Sequence, residues 1–460
     1  MRQTYPFDTA IARDLSLPRS YCGLTIRPEQ VVPELEKHIL VDGFKLVIDL
    51  EKSRGSVLVD AVSGREFIDF YSFYASMPVG FNHPHFDRPE VEADLLAAAK
   101  IKVANSDVYS TQFAEFIGTF DRVAGLAPLK RYFFIEGGAA AVENALKAAM
   151  DWKVRKNMAA GIGERGTEIL HFNSAFHGRS GYTLSLTNTD PVKTDFYARF
   201  PWPRAINPCI DYSLPQADRL RNVIDKERQS AIQIRKFIAE RGTDIAAIII
   251  EPIQGEGGDN HFREEWFQFL REICDQNDIL LIFDEVQTGM GTSGRAWCCQ
   301  HFDIAPDLLV FGKKTQACGV MAGPRLDEVR DNVFRLPSRI NSTWGGNFCD
   351  FVRSTHYLRI IEQEELVDNG HRQGAYFLGE LQRLALRHPA LSAPRGRGLL
   401  LAFNLPNSEL RDRFWASAYE RGLLLLRCGE RSIRIRPVLD VTEETIESAL
   451  RIIDEELRRM

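Results

Sequence analysis

Short apolar runs alternate with amphipathic stretches through the middle of the chain. RYFFIE (131–136) reads as a buried strand. AAVENALKAAMDWKVRK after it reads as a helix with Ala141, Ala145, Leu146 and Ala149 on one face. EILHF (168–172) is a second strand. Further on, SAIQIRKFIAERG is helical, IAAIIIEPI a strand, REEWFQFLREICDQN a helix, and DILLIFDEV and DLLVFGKK two more strands. These strands are apolar on both faces rather than alternating, the pattern of a parallel sheet covered by helices on both sides. Strands alternating with helices predict an α/β architecture. Ligands of such sheets bind beyond the carboxyl ends of the strands. Glu251, Asp284 and Lys313, each at or just past a strand end, are therefore expected near one another.

The C-terminal part has a different rhythm. LGELQRLALRH is helical, GLLLAFNL a strand, SELRDRFWASAYERG a helix, and LLLLRC and SIRIRPVL further strands. The last helix is expected to start at Thr442, an N-cap followed by Glu443 and Glu444 in the first turn. Its apolar face is Ile446, Ala449, Leu450, Ile453 and Leu457. GSVLVDAVSGREFIDFYS near the N-terminus predicts a β-hairpin with a Ser-Gly turn. The expected division is an N-terminal segment, residues 1–80, that packs with the smaller domain; a large domain with a mainly parallel central sheet, 81–345; and a smaller α+β domain, 346–460.

Composition narrows the function classes. The 460 residues carry a net charge of -6, with 44% hydrophobic and 26% charged residues, as in ordinary globular proteins. Nucleic-acid binding normally shows as a basic excess or stripe, which is missing, so no nucleic-acid partner is expected. The eight cysteines are Cys22, Cys209, Cys274, Cys298, Cys299, Cys318, Cys349 and Cys428, with no CxxC pair and no His cluster at metal-ligand spacing. They read as reduced thiols of a cytoplasmic protein without a metal. The opening MRQTYPFDTAIARDLSLP has no continuous apolar core of a secretion signal, and no apolar run reaches membrane-spanning length. No membrane association is expected.

Four segments carry candidate chemistry. In ILLIFDEVQTGMGTSG, Asp284 ends an apolar strand. It is either a capping or salt-bridging carboxylate, or one held against the ring nitrogen of a planar cofactor, where it would keep that nitrogen protonated. GMGTSG formally matches G-x-G-x-x-G. It is displaced from the strand by DEVQT, however, and the next strand ends in lysines rather than an acid, so a dinucleotide site is not expected. In PDLLVFGKKTQACG, the two lysines after the strand are either a solvated pair or include a partly desolvated amine nucleophile. In FIEGGAAAVENALKAAM, a strand runs through Gly137, Gly138 and Ala139 into a helix. Small residues there let backbone N–H groups approach a phosphate, although tight turns also use glycine for steric reasons. In HFNSAFHGRSGYT, Phe176 and His177 lie just past a strand and could stack on a ring, and Arg179 could hold a carboxylate bidentately.

In order and context these segments, with IIIEPIQGEGG, NSTWGGNFCD and SIRIRP, resemble the class III (ω-amino acid) aminotransferases of pyridoxal-phosphate fold type I. The likeness spans roughly residues 30–455. It implies pyridoxal 5'-phosphate as cofactor, Lys313 as the Schiff-base lysine and Asp284 on the pyridinium nitrogen. It also implies Gln287 on the ring hydroxyl, Phe176 stacked on the ring, and Gly138 and Ala139 at the phosphate. A further phosphate contact comes from Thr343 of the other subunit, which makes a homodimer the active unit. Glu136-Gly137 departs from the family's usual Asn and hydroxyl residue at the phosphate. For substrates, the resemblance implies Arg179, Glu256, Arg434 and Asn341. EGGAAAVENALKAA, FGKKTQACGVMAG and ILVDGFKLVIDLEKSRGSVLVDAVSG are most similar to members that move the 6-amino group of L-lysine to 2-oxoglutarate. Ornithine, 4-aminobutyrate and diaminobutyrate are the alternative donors. In this scheme Glu256 masks Arg434 for one substrate and swings away for the other. Treated as an exposed ion pair worth roughly 0–1 kcal/mol, that exchange is expected to be cheap.

Overall fold

The computed structural model describes residues 26–460. The N-terminal stretch read for an export signal, and Cys22, lie outside the described residues. The apolar runs of the middle of the chain form one seven-stranded sheet. Its order is Arg131–Ile135, Cys318–Ala322, Leu308–Phe311, Leu280–Asp284, Ile245–Ile250, Glu168–Phe172, Arg204–Ala205. From Leu308–Phe311 outward to Arg204–Ala205 all neighbours are parallel. Cys318–Ala322 runs antiparallel to both strands beside it. The three central strands are buried at every position. The period-two geometry of a strand then divides them between two cores. Leu280, Ile282, Leu308 and Val310 pack with Ala145, Ala149 and Trp152 of helix Gly138–Ala159. Leu281, Phe283, Leu309 and Phe311 pack with Trp266, Phe267 and Leu270 of helix Glu264–Gln276.

A four-stranded antiparallel sheet follows, in the order Ser392–Arg397, Leu400–Asn404, Ser432–Ile435, Leu426–Cys428. The hairpin Val57–Val59/Glu66–Asp69 forms as its pattern predicts, with Gly64 at φ 70° in the turn. It gains a third, parallel strand, Leu423–Leu424. The last helix, Glu443–Leu457, starts at Thr442, whose hydroxyl accepts the N–H of Thr445 at 3.3 Å. Four strands were not anticipated: the two-residue Arg204–Ala205 and Asn260–His261, and the longer Ser392–Arg397 and Cys318–Ala322. Ser392–Arg397 contains Pro394, which argues against a central strand; it is an edge strand with a register shift between Ser392 and Arg395, where proline is tolerated. Cys318–Ala322 is short and contains Gly319, where a Cβ would come within 2.2 Å of the Phe133 carbonyl oxygen.

After the hairpin, Ser72, Phe73, Tyr74 and Ala75 take φ of 39°, 51°, 59° and 66°. Left-handed backbone disfavours residues with a Cβ by about 1–2 kcal/mol each. The run is held from several sides. Asp69 Oδ1 accepts the N–H groups of Tyr71 (2.9 Å) and Ser72 (2.7 Å), and the Ser72 hydroxyl donates to the Arg436 carbonyl at 2.6 Å. Lys314 Nζ donates to the carbonyls of Met77 (2.7 Å) and Pro437 (3.3 Å), and Gln316 donates to that of Ser76 at 2.7 Å. Asp69→Ala strips the acceptor from two N–H groups next to the strained run. We expect it to destabilise the fold by about 3 kcal/mol in urea titrations at pH 8. That pH lies above the value of about 6 to which burial pushes the Asp69 carboxyl. A loss below about 0.5 kcal/mol would show that the run needs no such anchor.

Candidate active site

A cavity of about 830 Å³ opens where the parallel strands end, and it is lined by Glu251, Asp284 and Lys313 together, as the strand pattern predicts. Neither lysine of the GKK segment is a solvated residue. Lys314 is 2% exposed and points to the left-handed run, away from the cavity lining. Burial pulls it down to about 7 against the nearby Asp440 carboxylate. Lys313 lines the cavity, and its backbone is itself left-handed at φ 51°. Burial, then Arg434 and Arg436, pull its amine down to about 8. A lysine so placed holds an unprotonated amine at far lower pH than a surface lysine does.

Asp284 is buried but not alone. Its Oδ2 accepts from Nδ1 of His177 at 2.7 Å and its Oδ1 accepts the N–H of Val286 at 3.1 Å. A carboxylate only accepts, so the His177 proton sits on Nδ1. Nε2 of His177 is buried with no hydrogen-bond partner among the described residues. Behind this pair, Glu251 accepts the N–H of Phe176 (2.9 Å) on one oxygen and that of Gly255 (3.2 Å) on the other. Burial, and next among the raising influences the Asp284 charge, push Glu251 up to about 7. A carboxyl whose folded value exceeds its ordinary 4.5 binds more protons folded than unfolded between pH 4.5 and about 7, so its contribution to stability declines across that window as pH rises. Glu251→Gln, which cannot ionise, is therefore expected to improve steadily relative to wild type from pH 4.5 to 7, on top of a constant offset for its altered acceptor. A melting-temperature difference that stays flat across this range would contradict the assignment.

The turn expected to meet a phosphate combines Gly137 at φ 92° with the start of the 22-residue helix Gly138–Ala159. That helix has no side-chain cap and no acidic residue in its first turn, so its leading N–H groups are left for an anion. A Cβ on Gly138 would approach Val286 Cγ1 to 3.1 Å. Gln287 lines the cavity, accepts from Arg436 at 3.2 Å and fills the space a side chain at Gly255 would need. Phe176 lines the cavity with the Arg179 guanidinium 6.0 Å from its ring centre.

Arg434 lines the cavity and pairs with Glu256 Oε2 at 3.0 Å, which brings together the two residues expected to exchange. The pair is not the exposed one assumed from the sequence. The Arg434 side chain is 3% exposed, so removing its partner without a replacement strands a buried charge, which costs about 3–5 kcal/mol. Lys193 pairs with the other oxygen of Glu256, a contact with no precursor in the sequence pattern. Asn341 and Thr343 are exposed and do not line the cavity of their own chain. Their loop is pinned by Asn105, whose amide donates to the Trp344 carbonyl at 3.0 Å, and by Ser106, whose hydroxyl donates to the Ser342 carbonyl at 3.0 Å. The sequence reading also lacked roles for His177 beyond its ring, for the buried pair Arg436–Asp259 and for Tyr71 and Tyr74 on the cavity wall. Only His177 had a signal, its place beside Phe176 after a strand.

An uncapped helix start, a fixed buried carboxylate and a desolvated lysine around one cavity suit a phosphorylated, protonatable ring aldehyde. Residues 41–457 match the class-III aminotransferase family, and the chain belongs to it: it is a pyridoxal-phosphate-dependent transaminase. The chain is 49% identical to the L-lysine-epsilon aminotransferase of Mycobacterium tuberculosis, over 93% of this chain and 95% of that one. It is 45% identical to the enzyme of the same description from Streptomyces clavuligerus, over 93% and 94%. The solved lysine aminotransferase from M. tuberculosis in its internal aldimine form superposes with a TM-score of 0.92 at 48% identity, covering 94% of this chain and all of that one. The ornithine aminotransferase of Toxoplasma gondii, at 24% identity and a TM-score of 0.73, shares the fold. No described helix is long and apolar enough to cross a membrane.

Proposed function

We propose that the enzyme transfers the 6-amino group of L-lysine to 2-oxoglutarate, yielding 2-aminoadipate 6-semialdehyde and L-glutamate. The observation that carries this reading is the pair of carboxylate-binding cations on one cavity. Arg179 forms no ion pair among the described residues, whereas Arg434 is masked by Glu256. A donor whose carboxylate is remote from its reacting amine leaves Arg434 masked and reaches Arg179. Glutamate, with a carboxylate beside its amine, displaces Glu256 and takes Arg434. The identity to relatives described as L-lysine-epsilon aminotransferases supports the choice of donor.

Bound pyridoxal phosphate supplies the electron sink of the reaction. Gly138 and Ala139 would hold its phosphate at the helix start, Phe176 would stack on its ring, Gln287 would meet its hydroxyl, and Asp284, oriented by His177, would keep its nitrogen protonated. Lys313 Nζ would carry the cofactor at rest. As a free amine it would take up the proton that leaves the amine-bearing carbon of the substrate and hold it for delivery to a different carbon, on the cofactor side of the bond. One nitrogen serves both roles because it is already within reach. Thr343 and Asn341, exposed on their own chain, complete the site of a second copy, so the working unit is a homodimer. The described cysteines are free thiols, in keeping with a cytoplasmic enzyme.

The test is the visible spectrum of the holoenzyme with L-lysine and no 2-oxo acid. Loss of the yellow band supports the reading. A band that lysine leaves intact while ornithine, 4-aminobutyrate or diaminobutyrate removes it moves the enzyme to another donor within the family.

A further inference from the structure

Lys193 ends the short turn Pro191–Lys193, which Asp190 caps by accepting the N–H of Val192 at 3.1 Å. Its side chain is only 16% exposed and lines the cavity, with Nζ 5.7 Å from the Phe176 ring centre. It pairs with Oε1 of Glu256 while Arg434 takes Oε2, so one carboxylate bridges two cations. Burial raises the Glu256 carboxyl, but Arg434 and Lys193 outweigh it and hold the group below its ordinary range. Between its two cations Glu256 is thus held as an anion, and its side chain is only 25% exposed. Moving it off Arg434 is favourable only if both separated charges find partners. The incoming substrate carboxylate serves Arg434. Lys193 already stands on the other oxygen of Glu256.

We propose that Lys193 is a positioning residue that sets specificity between the two half-reactions: it retains the Glu256 carboxylate when Arg434 passes to a substrate carboxylate. This rests on the reading that Glu256 leaves Arg434 for glutamate. A carboxylate bridging two cations can release one and keep the other, so the exchange proceeds without a stranded charge. The same cation adds to the positive field that a dicarboxylate substrate meets on entry.

The experiment compares both half-reactions from one form of the holoenzyme, by single-turnover spectroscopy with L-glutamate and, separately, L-lysine. Lys193→Met keeps the length and apolar stem of the side chain and removes its charge. It is expected to lower the ratio of kcat/KM for L-glutamate to that for L-lysine by about tenfold, and Lys193→Arg to restore most of it. With Glu256→Ala already made, Lys193→Met should move the ratio by less than about twofold, because the carboxylate it holds is gone. An unchanged or increased ratio overturns the proposal, and so does an undiminished fall in the Glu256→Ala background. If Glu256→Ala shifts the ratio and Lys193→Met does not, Lys193 alone is excluded. If neither does, the exchange at Arg434 falls, and this proposal with it. If wild type turns over glutamate but not lysine, the donor is wrong, and the ratio is taken against whichever amine it accepts.

Discussion

Lys313→Ala is expected to lower kcat by about 10,000-fold, the range for removing a positioned general base, and to abolish covalent attachment of the cofactor. The neighbour cannot substitute. Lys314 spends its hydrogen bonds on the carbonyls of Met77 and Pro437 and lies outside the cavity lining. Borohydride reduction of the wild-type holoenzyme, followed by peptide mass analysis, should place the cofactor's mass on Lys313 and none on Lys314. Label on Lys314, or a variant within tenfold of wild-type kcat, would reverse the assignment of the two lysines. Added methylamine should return part of the variant's activity, since the cavity that Lys313 lines is large enough to admit a free amine.

Asp284→Asn should lower kcat by about 100- to 1,000-fold with a smaller change in KM. Asparagine preserves the shape and can still accept from His177 Nδ1, so the wall of the cavity survives. The full negative charge does not, and with it would go the hold on a protonated ring nitrogen that the proposed function gives Asp284. A structural role alone would instead show as lower melting temperature with kcat nearly intact. A loss of kcat below about tenfold would mean that His177 and the backbone dipoles suffice without the charge.

The α/β order of the large sheet was legible because its strands are apolar on both faces and helices separate them. The four missed strands lacked that signature, and Arg204–Ala205 and Asn260–His261 are only two residues each. Pro394 hides in an edge strand with a register shift, and the glycine in Cys318–Ala322 reflects a close backbone approach that no periodicity reports. In the site, residues anchored to strand ends were readable by position: Glu251, Asp284 and Lys313, with Phe176 and Gly138 close behind. Arg434 and Glu256 came from family resemblance. Their pairing was anticipated, but its burial was not, and burial turns an inexpensive exchange into one that needs a second cation.

From residues 131–322 alone, the local pattern of apolar runs and small residues determines the parallel strands of the large sheet, a glycine turn leading into a helix, and an acid and a lysine at neighbouring strand ends. These are short-range features, set by period and propensity. The partners of those groups come from distant segments: Met77 and Pro437 for Lys314, Arg436 for the left-handed run, and Arg434 and Lys193 for Glu256. Packing decides which lysine is tied down and which faces the cavity, and which ion pair is cut off from water. Desolvation depends on everything that surrounds a group, so it is a property of the folded chain and not of any stretch of sequence.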